Sequence, residues 1–73
     1  MRYTLIVKGS AEIAMEAARQ RGILHPEILK DNAGTTVLGC NEPDSKDLFR
    51  WFTEDTHMDP PFPLGSLLHY REG

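Results

Sequence analysis

The side chains in this sequence able to do covalent or metal chemistry are few: one cysteine, Cys40, three histidines, His25, His57 and His69, and the carboxylate Asp59 beside His57. A zinc centre needs several such ligands at short spacing, as in C-x-x-C or H-x-x-x-H, because one ion must be reached from a turn or two of chain. Neither pattern occurs, and the one close pair, His57-x-Asp59, reads more simply as an exposed polar loop. No metal and no cofactor is expected. Cys40 with a histidine would make a nucleophile only if a base were held within hydrogen-bond reach. A lone cysteine at a strand end reads more simply as a small buried hydrophobe. Lys8-Gly9-Ser10 opens a helix and could hold an anion there, but the loop carries no arginine and Ser10 suits an N-cap. The chain is not expected to be an enzyme.

The elements that position these residues follow from periodicity and punctuation. Residues 2–8 alternate and are rich in β-formers, with Tyr3, Leu5 and Val7 on one side and Thr4 and Ile6 on the other. Residues 11–21 read as a helix with an alanine-rich stripe of Ala11, Ala14, Met15, Ala17 and Ala18. Gly22 suits a left-handed cap, and Ile23 packs back on the last turn. Residues 26–31 and 35–40 form two arms of a hairpin around Asp31-Asn32-Ala33-Gly34. Gly39 weakens the second arm or marks a bulge. A second helix starts at Asp44 as N-cap and runs to about Asp55, with Leu48, Phe49 and Phe52 inward and Trp51 at the stripe's edge. Pro60, Pro61 and Pro63 make residues 56–65 a stiff loop, and residues 66–71 read as a last strand. The order β-α-β-β-α-β predicts an α+β, ferredoxin-like fold: a four-stranded antiparallel sheet with two helices on one face.

With 73 residues the chain is expected to be a single domain, residues 1–73. It begins with Met1 and carries no tag, which reads as a complete small gene product. One cysteine excludes an internally stapled secreted scaffold, so a cytoplasmic setting is expected. The apolar run at residues 5–7 is too short for a signal peptide, and no stretch approaches the roughly 20 apolar residues that cross a bilayer. Direct nucleic-acid binding is not expected either. The formal charge is −3, the third strand offers no aromatic on which bases could stack, and no recognition motif is present.

Where the charge lies says more than its total. Residues 1–36 hold five basic and four acidic residues, whereas residues 37–73 hold three basic and seven acidic. Asp44 and Asp47 suit a helix N-terminus, but Glu54 and Asp55 fall at its C-terminus, where negative charge is unfavourable. A tryptophan among carboxylates has the composition of an interface anchor with a charged rim. The candidate partner-binding residues are therefore Asp47, Trp51, Glu54, Asp55 and Asp59. The plainer alternative for Trp51 is a core residue covering the proline-rich loop.

The opening YTLIVKGS (residues 3–10), the alanine-rich helix ending in Arg21-Gly22-Ile23 and the closing PFPLGSLL (residues 61–68) resemble small proteins of bacteriophages and mobile elements, the anti-CRISPR inhibitors among them. The resemblance spans most of the chain in style and carries over no site residue. It implies stoichiometric inhibition of a bacterial host defence complex, such as a CRISPR-Cas effector, in the host cytoplasm, with carboxylates presented to a basic surface that otherwise grips nucleic acid. The alternative is a small oligomerising or structural module, a homodimer through the open sheet face.

Overall fold

Alternation along the first strand sets the layout. A computed structural model of the chain describes residues 2–41 and 45–73. The elements are β1 (Tyr3–Lys8), α1 (Ala11–Gln20), β2 (Glu27–Asn32), β3 (Thr35–Cys40), α2 (Ser45–Thr56) and β4 (Leu67–Glu72). The strands form one sheet in the order β2-β3-β1-β4, with every neighbouring pair antiparallel. The protein is thus α+β, a four-stranded antiparallel sheet with two helices, as expected.

β1 is central, and its alternate residues Tyr3, Leu5 and Val7 are buried. Leu5 lies opposite Leu38 on β3 and Tyr70 on β4, and Val7 lies opposite Thr36 and Leu67. Ala14 and Ala18 of α1 and Leu48 and Trp51 of α2 join the same cluster, so both helices contribute to one core on this side of the sheet. The intervening residues Thr4 and Ile6 face the other way and are only half-buried.

Local sequence signals account for the ends of α1. The Ser10 hydroxyl accepts the Ile13 N–H at 3.4 Å, which caps an otherwise unpaired donor. At the other end Gly22 takes φ +88°, Gly22 N donates to Arg19 O, and Ile23 N donates to Ala18 O. These are the two bonds of a Schellman ending, and Ile23 is fully buried behind it. The β2–β3 hairpin turns at Gly34, also at φ +88°. The bulge lies in β2 at Leu29, between Ile28 and Lys30, rather than at Gly39. Gly39 instead stays in register and lets Arg2 and Leu29 close over the strand.

α2 departs from the expected facing. Leu48, Trp51 and Asp55 form its buried stripe, while Phe49 is 59 % exposed. At 100° per residue Leu48, Trp51 and Asp55 share one side, and Phe49 is turned about a quarter revolution away. Phe52 is half-buried and packs edge-on against Tyr70 at 6.2 Å and tilted against Phe62 at 6.4 Å. The expected cap Asp44 lies outside the described residues.

Candidate functional site

The end of α2, the loop that follows and the end of α1 meet around Trp51. Trp51 is 2 % exposed, so its ring belongs to the core rather than to a surface. Arg21, just past α1, lies over it with the guanidinium carbon 5.8 Å from the ring centroid. Arg21 also pairs with Glu54 and approaches Asp55 at 4.0 Å. Glu54 is therefore tolerated at a helix C-terminus because a cation sits beside it.

Asp55 corrects its assignment to an exposed rim. It is 5 % exposed, and its Oδ2 accepts the Leu67 backbone N–H at 3.1 Å. Its backbone carbonyl accepts the N–H of Phe62 at 3.2 Å. Phe62 is held at φ +59°, a conformation seldom taken by a residue with a side chain. Asp55 thus ties helix, loop and strand β4 together. Its place at a helix C-terminus follows from a partner 12 residues ahead, not from the helix itself.

The loop closes on the end of β1 at Gly65, whose N–H donates to Lys8 O at 2.7 Å, and there it lies against Ala17 of α1. A shallow groove runs between α1 and this loop, with Ile13, Met15 and Leu64 in its apolar part and Glu12 and Glu16 along its edge. It continues past Ala17 and Gln20 to Arg21 and Met58. Leu64 is 65 % exposed and Met58 51 %. Of the five residues expected at a docking face, Asp47, Glu54 and Asp59 are exposed, and Trp51 and Asp55 are inside. Sequence reasoning missed Ile13 and Leu64. The signal for Ile13 was an isoleucine standing outside an alanine stripe.

The other side of the sheet presents Ile6, Val37, Thr4, His69 and Arg71 around a depression. Register places Lys8 and Lys30 on this same side, opposite Thr35 and Val37. Arg2 reaches across Gly39 to pair with Glu27 at 2.8 Å.

The residues considered for chemistry do not assemble. Cys40 is 2 % exposed in the core, whereas His25, His57 and His69 are exposed. Among the described residues no three His, Cys, Asp or Glu side chains gather around a point that could hold a metal ion. Among the same residues no helix is long and apolar enough to cross a membrane. The fold and this geometry define a small α+β protein with a carboxylate-edged apolar groove on one side and a cationic sheet face on the other. No family model, curated protein or solved structure matches the chain.

Proposed function

We propose that the chain is a binding protein with the ferredoxin-like arrangement, acting by stoichiometric contact in the cytoplasm of a bacterium as a phage-type inhibitor. Its helical side docks on a basic surface of a nucleic-acid-handling defence complex. The observation that carries this reading is the sorting of charge. Among the nine carboxylates of the described residues, register places only Glu27 on the open sheet face. Asp47, Glu54 and Asp59 supply the acidic rim together with Glu12 and Glu16. Leu64 and Ile13, rather than Trp51, supply the apolar contact. Apolar centre and charged rim are the anatomy of a protein interface, and the charge steers the encounter.

The test expresses the chain in bacteria whose CRISPR-Cas system restricts an infecting phage, across several effector types. Wild type should restore plaque formation against at least one type. A triple reversal of Asp47, Glu54 and Asp59 to Lys should abolish the rescue while the thermal melt is retained. Absence of rescue by wild type in every type would overturn the inhibitor reading, and rescue by the triple variant would overturn the acidic surface.

A further inference from the structure

The open sheet face carries a charge opposite to that of the whole chain. Among the described residues Arg2, Lys8, Lys30 and Arg71 lie on it against Glu27 alone, which leaves four cations and eight carboxylates for the rest of those residues. His69 lies among them beside Arg71. Arg2 is held by Glu27, but among the described residues no carboxylate pairs with Lys8, Lys30 or Arg71. These three cations sit on three different strands, β1, β2 and β4. The face is about 20 Å long, taking about 3.3 Å per residue from Arg2 to Lys8.

The geometry points to this face as a binding surface for the phosphate backbone of a single-stranded nucleic acid. The choice against an acidic protein rests on what the face lacks. A protein partner needs a large apolar or aromatic anchor seated in a pocket. Here the apolar part is Ile6 and Val37, both half-buried, with Leu29 on the edge strand β2; none of these is aromatic, and Tyr3 and Tyr70 belong to the opposite side. Phosphates need only cations spread along a path. The missing aromatics also remove base stacking, so the contact is indifferent to sequence. This revises the expectation of no nucleic-acid contact, which rested on total charge and on the absence of stacking aromatics and of a recognition motif. It does not depend on the proposed inhibitor role, because it uses the other side of the molecule.

Fluorescence anisotropy of a fluorescein-labelled oligothymidylate, titrated with the full chain at several salt concentrations, tests it. Each phosphate neutralised on a single strand contributes about −0.7 to the slope of log K against log salt, so three cations give a slope of about −2. Replacing Lys30 and Arg71 with Gln should weaken binding and reduce the slope to about −0.7. Replacing Lys46 and Arg50 with Gln makes the same change in net charge on α2 and should leave the slope unaltered. Circular dichroism melts of both double variants establish that each is folded. No anisotropy change at the lowest salt would overturn the proposal, as would equal losses in the two double variants. Competition by polyglutamate as effective as that by unlabelled oligothymidylate would assign the face to acidic proteins and overturn it too.

Discussion

Trp51 and Asp55 show how two neighbouring side chains on one helix exchange surface roles for structural ones. Trp51 fills the centre of the helical layer and is 2 % exposed. Truncation to Ala should therefore cost about 3–5 kcal/mol. A domain of this length has only about 4–11 kcal/mol in total, at roughly 0.05–0.15 per residue. The Trp51→Ala protein should therefore lose a large part of its stability and melt far below the wild type by far-UV circular dichroism, whereas truncation of a surface anchor would leave the melt unchanged. Asp55→Ala should lower stability by about 1–3 kcal/mol in urea denaturation, because the buried Leu67 N–H loses its acceptor. Asp55→Asn keeps an acceptor oxygen and should lose less. An unaltered urea midpoint for Asp55→Ala would show that the bond contributes nothing. The sequence offered the core role of Trp51 only as an alternative and gave no sign of the role of Asp55, for a physical reason. The inward stripe of α2 was read through Phe49, one residue from Leu48, and a rotation of one residue moves Trp51 from edge to centre. Asp55 is bonded across a loop to β4, which no pattern within a helix can report.

At the scale of elements the legible parts were those specified by neighbouring residues. Ser10 capping α1, Gly22-Ile23 ending it, and Gly34 turning the hairpin each depend on contacts within a few positions. The bulge in β2 was not legible at Gly39, because the extra residue lies on the partner strand at Leu29. The closure of the loop on α1 is also long-range, and two glycines make it measurable. Gly22 and Gly65 share φ +88°, so an added Cβ meets the same backbone strain at both, about 1–2 kcal/mol. At Gly22 nothing lies within 4 Å of that Cβ, whereas at Gly65 it stands 3.3 Å from the Cβ of Ala17. Gly65→Ala should therefore lower the melting temperature more than Gly22→Ala. The difference between the two reports how tightly the loop is held against α1. Equal shifts would mean that the loop yields freely, and the groove lined by Ile13 and Leu64 would then have no fixed shape.

For the whole molecule, net charge conceals a separation between two sides of a body 19 Å thick along its shortest axis. The screening length is about 8 Å at physiological ionic strength and about 30 Å at 0.01 M. At physiological salt each side therefore presents its own sign to a partner, while at low salt the fields of the two sides overlap. The consequence for self-association is directional. Two copies meeting sheet face to sheet face would bring Lys8, Lys30 and Arg71 of each within the roughly 10 Å that separates packed sheets, where like charges oppose. A copy that sets its cationic sheet face on the acidic helical side of the next is attracted, but that contact is head-to-tail and does not close on itself. The protein should sediment as a monomer at physiological salt. At about 0.01 M salt and high protein concentration it should form open-ended oligomers that dissolve when salt is added. Replacing Lys30 and Arg71 with Gln should suppress them. A discrete dimer that tightens as salt rises would show instead that the sheet faces meet through Ile6 and Val37. The cations would then be the rim of an apolar homodimer interface, and the face would not be open to any other partner.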